Sequence, residues 1–546
     1  MVLLDAGVVT RCRRRVHLEH DPTADRSRRG PSDPAAAQRI ADAAAHRRAV
    51  ADELAARFGD RWAEVPADLP TAERARATEA LLVAAVPFVW GAVLPTDAAA
   101  GRRGSVDLLV RVRGGYVPVL VARHKVTDPG AGARTTALAE PDPDRAVADP
   151  TRKVRAQPRD QLRLAHAVRL LRTAGLAARG PAVGGAVGLE ADVVLWHDLD
   201  APTWPGERSA MAEYETRFAD RLAVAHAAAT GATPLALPSR VTECRSCPWW
   251  PTCESVLAEA RDVSLVLRGE DAGALRAVGV STVDDLAALD PAGNPPVPLD
   301  GMVFGDAVLL ARAWQRDLSL VRRHPTVSVA RADVEVDVDM ESFGDAGAYL
   351  WGSLLSGMDV GVRPGYHAFV TWDPVPTPDE GRSFAEFWGW LTEVRARAAA
   401  RGLSFRAYCY NELAENRWML YSADRFAGLP GVPTADAVRA FIGSQQWVDL
   451  FAVVRSEFLC AHGKGLKTVA PAAGFSWHDP EAGGENSMRW YRDAVGMDGA
   501  ASDLTQRERL LTYNADDVHA TYTLRHWISS AAVRDVPYAG DLSPLS

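Results

Sequence analysis

The stretch DVEVDVDMES, Asp333 to Ser342, alternates acidic and apolar residues without a break. Successive side chains of a β-strand point to opposite faces, so Val334, Val336, Val338 and Met340 share one face. Asp333, Glu335, Asp337, Asp339 and Glu341 share the other, with no cation among them. Asp is a poor strand former, and like charges about 7 Å apart repel. Such a face folds only if something stands against it. Water against an edge strand is one answer, although edges protected by charge commonly include Lys. A divalent cation is the other, because Mg²⁺ and Mn²⁺ prefer carboxylate oxygens and a two-ion centre gathers acids from several elements. The strand alone leaves both open, and the rest of the chain must supply the missing ligands.

A chain of 546 residues is long enough for two or three domains, each with its own core. Sixty-one basic and seventy acidic residues give a net charge of −9, which excludes a protein that coats nucleic acid through overall charge. Local patches remain, such as the arginines of RCRRR (Arg11 to Arg15) and those between Arg159 and Arg172. No apolar run approaches the length of a membrane span. The opening MVLLDAGVVTRCRRR places its basic cluster after the short apolar run, the reverse of a secretory signal, so a cytoplasmic location is expected.

Composition predicts a helix within residues 20–60, a hairpin over Val106 to Val126 turning at Gly114-Gly115, and a loop from Thr127 to about Ala156. A helix from Pro158 to Ala174, the strand ADVVLWHDL and a long helix from Arg208 to Ala229 follow. Around Gly279 two short helical patterns resemble a helix-hairpin-helix unit, a device that grips nucleic-acid backbone, although paired short helices are commoner as plain structure. After DPAGNPPVPLDG, strands (the acidic one, GYHAFVTW, FRAYCY, WVDLFAVV) alternate with helices near Ser383 to Ala400, from Glu412, and near Asp517 to Ser529. The expected architecture is therefore α/β: an N-terminal domain over 1–258, a helical connector over 259–325, and a domain with a mixed sheet over 326–546.

Asn411 and Glu415 are four residues apart, as are Tyr513 and Asp517 in LLTYNADDVHATYTLRHW. On a helix that spacing puts each pair on one face. Asp339-Met340-Glu341, Asn411 to Glu415, and Tyr513 to Asp517 resemble, in that order, the three motifs of the RNase H-like 3′–5′ exonucleases of the DEDD class. The resemblance implies an RNase H-like fold in which Asp339, Glu341, Glu415 and Asp517 hold two Mg²⁺ or Mn²⁺ ions and Tyr513 orients the attacking water. Glu415 stands where that class more often has Asp. Asp337 competes for a ligand role because it shares the acidic face, and Asp449 is a further acid whose simpler reading is a strand-end residue.

Cys244, Cys247 and Cys253 form C-x2-C-x5-C, and Cys12 lies far upstream as a fourth thiol. Without a secretory signal, a disulfide framework is not expected. Structural zinc on four thiolates is one reading. The layout, one cysteine near the start and three at the end of a domain, also resembles the iron–sulfur nucleases of the RecB-like superfamily, which implies a [4Fe–4S] cluster. That superfamily carries a PD-(D/E)XK site. Asp107 stands at its first acid and Gln161 at its helical glutamine, but Leu120-Val121-Ala122 replaces the second acid and Lys125 comes three positions late. The resemblance thus implies a degenerate N-terminal nuclease domain, with a structural role for Asp107 as the alternative.

Together these features resemble a bacterial family described as predicted RecB-family nucleases. What the resemblance implies is a metal-dependent 3′–5′ exonuclease on nucleic acid, DNA rather than RNA. A catalytically silent nucleic-acid-binding or repair scaffold and an exoribonuclease are the alternatives.

Overall fold

In the computed structural model, which describes residues 1–30 and 34–545, the chain divides into two compact units, Met1–Leu257 and Ala258–Ser546. The residues expected to form a connector, 259–325, fall within the second. Among the described residues no helix is long and apolar enough to cross a membrane.

The first unit is organised on a mixed sheet whose strands lie in the order Trp62–Glu64, Phe88–Asp97, Arg102–Val112, Gly115–Val121, Val183–Val187, Val193–Asp198, Arg134–Ala137 and Val147–Ala148. Arg102–Val112 and Gly115–Val121 form the hairpin read from the sequence. The helix Pro158–Thr173 lays Leu162, Ala165 and Leu171 into a core with Val106, Leu109 and Leu120. The helix expected within residues 20–60 is Pro34–Phe58, and its lead-in at 31–33 lies outside the described residues. The segment from Thr127 to Ala156 departs from the loop expected of its Pro and Gly content. Its Arg134–Ala137 stretch carries Thr135 and Thr136, whose β-branching suits a pleated surface, and joins the main sheet.

In the second unit the strand order is Gly365–Val370, Ala348–Gly357, Val334–Ser342, Phe405–Cys409, Trp447–Asp449. The acidic strand is therefore central, and water against an edge is not what offsets its charge. It runs antiparallel to Ala348–Gly357 and parallel to Phe405–Cys409. On its apolar side Val334, Val336, Val338 and Met340 are buried with Phe384, Phe387 and Leu391 of helix Asp379–Ala400 and Trp418 and Met419 of helix Leu413–Arg425.

The acidic side is covered by the helix Leu504–Ile528. This helix begins well before the Asp517 start expected from composition, because the Asp503 carboxylate caps it by accepting from the Thr505 backbone N–H at 2.8 Å. Tyr513, Asp517, Thr521 and Arg525 recur every four residues and are all buried. Arg525, with no exposed surface, donates from Nε and Nη2 to the two carboxylate oxygens of Asp337 at 2.9 and 2.7 Å, and from Nη1 to Glu335. Glu335 also accepts from Arg331 Nε at 2.7 Å and from the Tyr408 hydroxyl at 2.8 Å. Burial alone would raise the Glu335 pKa, yet the arginines and the phenol hold it at about 2. Both carboxylate oxygens of Asp337 are engaged in an ion pair with Arg525.

One further expectation changes. Only Trp447–Asp449 of WVDLFAVV is strand; Leu450–Glu457 is a helix capped by Asp449, which accepts from Phe451 N–H at 2.9 Å and from Asn411 N–H at 2.9 Å. In the hairpin around Gly279, Asp285 Oδ2 accepts from the Ser281 and Thr282 N–H groups at 3.0 and 2.8 Å. Those amides are engaged internally, so the turn is a capped structural element rather than a phosphate cradle.

Replacing Arg525 with Met would leave Asp337 buried without its partner. Such a loss is expected to destabilise the second unit by about 3–5 kcal/mol. Denaturant unfolding checks it: an unchanged midpoint would mean that the acidic face is neutralised by other means.

Candidate metal centre

Three acids from two elements meet at the far end of the acidic strand. Asp339 and Glu341, two residues apart on the strand, share a face with Asp517 of the overlying helix. One carboxylate oxygen from each lies within 4.8 Å of the others, and among the described residues this is the one such group of metal-ligating side chains. Glu341 and Asp517 are buried and Asp339 is half-buried. Burial, with the charges of Asp517, Glu341 and Glu415, raises the Asp339 pKa well above the usual carboxylate range. Burial and the Asp517 charge push Glu341 up to about 8. Such shifts mark a place where negative charge has been concentrated without an internal counter-ion of equal size.

Glu415, in the first turn of helix Leu413–Arg425, is buried beside this group rather than within it. Its Oε2 has no hydrogen-bond partner, and burial together with the charges of Asp449 and Glu341 pushes its pKa up to about 8. An orphaned carboxylate oxygen in the protein interior is costly unless a cation completes it. The donor set of hard oxygens, in this orphaned state, fits Mg²⁺ or Mn²⁺.

Tyr513 lies in the same helix, one turn before Asp517. Its hydroxyl accepts from Lys467 Nζ at 3.0 Å, and the ammonium sits 4.6 Å from the Tyr513 ring centroid and 3.3 Å from Asp517 Oδ1. Burial raises the Tyr513 pKa, so the phenol keeps its proton.

Several residues in contact with the acids were not singled out in the sequence. Trp477 Nε1 donates to Asp517 Oδ1 at 2.6 Å, Ser487 Oγ to Glu341 Oε2 at 3.1 Å, and Asn514 Nδ2 to Asp339 Oδ2 at 2.7 Å. Lys467, Trp477 and Ser487 come from a stretch rich in Gly, Ala and Pro, with no period to reveal which side chains turn inward. Asn514 sits beside the Tyr513 already of interest and carried the clearest available signal.

The N-terminal residues are placed differently. Asp107 Oδ2 accepts from the Val121 N–H at 2.9 Å, Gln161 Oε1 accepts from Trp204 Nε1 at 3.0 Å, and Lys125 pairs with Glu190 at 3.5 Å. Among the described residues Asp107 belongs to no group of three or more metal-ligating side chains. The four cysteines gather at one place in the first unit. Cys12 precedes the helix Arg13–His20, Cys244 lies in the turn Thr242–Ser246, and Cys253 in the helix Trp250–Glu259. Glu243 clasps the two ends, accepting from the Cys12 N–H and from Arg15 Nη1 at 2.7 Å. Burial pushes the Cys253 thiol up to about 11, and each of the other three thiols adds to that rise.

A family model of the RNase H superfamily, RNase_H_2, matches residues 421–529. The match spans about one fifth of the chain, includes Lys467, Trp477, Tyr513 and Asp517, and supports an RNase H-like C-terminal domain and, in general terms, a nucleic-acid-cleaving hydrolase. No curated protein and no solved structure matches the chain.

The raised acids set a pH dependence. Glu341 and Glu415 bind their protons more tightly folded than unfolded, so the ion-free unit loses stability as pH rises through about 8. The loss approaches ~1.4 kcal/mol per pH unit for each carboxyl between its ordinary value of 4.5 and about 8, where the unfolded chain has released the proton and the folded one has not, and levels off above. In chelator the thermal midpoint should therefore fall with rising pH, and Mn²⁺, which takes up the ionised oxygens, should counter the fall. A midpoint in chelator that holds level across that range would show that these acids are not held neutral.

Proposed function

We propose that the second unit is a metal-dependent nuclease, a 3′–5′ exonuclease on DNA that uses two divalent ions. The observation that carries this reading is the convergence of Asp339, Glu341 and Asp517 within 4.8 Å. These three would hold one ion. Glu415, through its unpartnered Oε2, is the ligand suited to a second, shared with Asp339. When bound, such ions lower the pKa of water and offset the negative charge on the attacking and leaving oxygens of a phosphodiester. The protein's own part is positioning. The Tyr513 hydroxyl, held by Lys467, orients the attacking water, and the Lys467 ammonium faces the same space with a positive charge that attracts the phosphate. The burial of the acids keeps bulk water from competing for their oxygens.

For the first unit we propose a [4Fe–4S] cluster on Cys12, Cys244, Cys247 and Cys253. Four thiolates on one zinc ion at about 2.3 Å would stand roughly 3.8 Å apart. The four thiols lie close enough for each of the other three to act on Cys253, and their layout along the chain is the one that supports a cluster. The Glu243 clasp brings the ends of the unit together around it.

Two measurements test these readings. With Mg²⁺ or Mn²⁺ the purified protein should shorten 5′-labelled single-stranded DNA stepwise, faster than the matching RNA. The Asp339→Ala/Asp517→Ala variant should fall by more than the ~10–100-fold that losing an outer partner of a metal ligand costs. Equal rates in both proteins would refute the site. Anaerobically purified protein should be brown with thiolate-to-iron absorption, whereas colourless protein holding one zinc per chain would overturn the cluster.

A further inference from the structure

Asp339 lies opposite Gly352 on the neighbouring strand, at the centre of a sheet where a side chain would ordinarily stand. A Cβ placed on Gly352 would come within 1.7 Å of Asn514 Oδ1. The missing side chain is thus the space into which the Asn514 amide fits. Glycine in the middle of a strand weakens it and commonly marks such a close approach.

Asn514 is fully buried, and both ends of its amide are used. Nδ2 donates to Asp339 Oδ2 at 2.7 Å, and Oδ1 accepts from the Tyr366 hydroxyl at 2.6 Å. Tyr366 belongs to the edge strand Gly365–Val370, two strands away from Asp339. The amide thus bridges the two side chains, its N–H toward the Asp339 carboxyl and its oxygen toward the phenol, which donates. The Tyr366 hydroxyl therefore holds the far end of the amide whose near end meets Asp339.

We infer that Tyr366 and Asn514, seated over Gly352, form a neutral clamp that fixes the Asp339 carboxylate for divalent-ion binding. They are positioning residues, acting through Asp339. The inference rests on the proposed metal-dependent reading of this site and adds to it the residues that set the affinity. Without the clamp, Asp339 turns among neighbouring acids that repel it, and the ion must pay the cost of ordering it.

The test is Mn²⁺ binding by the full-length protein, followed by electron paramagnetic resonance of the free ion, with thermal unfolding measured in chelator. Tyr366→Phe removes one oxygen and keeps the ring. It should weaken Mn²⁺ binding roughly 10-fold while leaving the unfolding midpoint in chelator close to wild type, a split that a merely structural role would not produce. Asn514→Ala should weaken binding by up to ~100-fold, within the span seen when outer partners of metal ligands are lost. Should Asn514→Ala fail to fold, Tyr366→Phe remains decisive. Wild-type affinity in Tyr366→Phe would overturn the clamp while leaving the metal site standing. A wild-type protein that binds no Mn²⁺ would overturn the metal-dependent reading and the clamp with it.

Discussion

The second unit depends on laying one helix across a strand that carries acids on its inner face. The helix Leu504–Ile528 solves this problem in two ways along a single stripe. Toward its C-terminal end, Arg525 meets Asp337 and Glu335 and cancels their charge inside the protein. Two turns earlier, the same stripe presents Asp517 to Asp339 and Glu341, adding negative charge to negative charge. The pairing at one end fixes the register in which the repulsion at the other is enforced. Asp333, beyond the arginine, reaches the surface and accepts from the Ser404 N–H and hydroxyl at 2.9 and 2.6 Å. Of the five strand acids, Glu335 and Asp337 are paired with arginine, Asp333 is held by Ser404 at the surface, and Asp339 and Glu341 are the two that face Asp517.

That concentration of charge is sustained by the rest of the fold. Val334, Val336 and Val338 are buried among aromatic and aliphatic side chains on the opposite face, and Tyr349, beside Glu341, packs in one core with Trp490 and Tyr491. Apolar burial at about 25 cal/mol per Å² can carry a local penalty of a few kcal/mol that would unfold a smaller domain. Local conflict with global consistency elsewhere is what a functional site looks like energetically.

Much of this was legible from the residues. Unbroken alternation specified the strand, and four-residue spacing set Tyr513 and Asp517 on one face. The place of that strand in the sheet was not legible. Five acids suggested solvent or metal, and the third answer, a buried arginine eight residues beyond Asp517, required knowing that the helix crosses the sheet at that angle. The length of the helix was obscured because its polar and apolar residues are distributed around the whole circumference, as in an element buried on most sides. Gly352 was a readable signal that only the strand pairing could interpret. In the first unit the cysteine spacing was plain, whereas the Glu243 clasp joins residues more than two hundred positions apart and has no local signature.

The chemistry of the groups around the three acids separates orientation from neutralisation. Asp339 is held by an amide, Glu341 by a hydroxyl and Asp517 by an indole N–H. Each donor fixes one oxygen of its carboxylate without supplying a full positive charge. Arginine in those positions, as at Asp337, would have given a more stable ion-free domain with nothing left to attract an ion. Lys467 is the exception, and it stands at the rim with its side chain partly exposed, 38% by area, where an ammonium can move aside or turn toward an incoming phosphate. Neutral donors hold the acids from inside, and the Lys467 ammonium stands at the opening against Tyr513, Trp477 and Asp517.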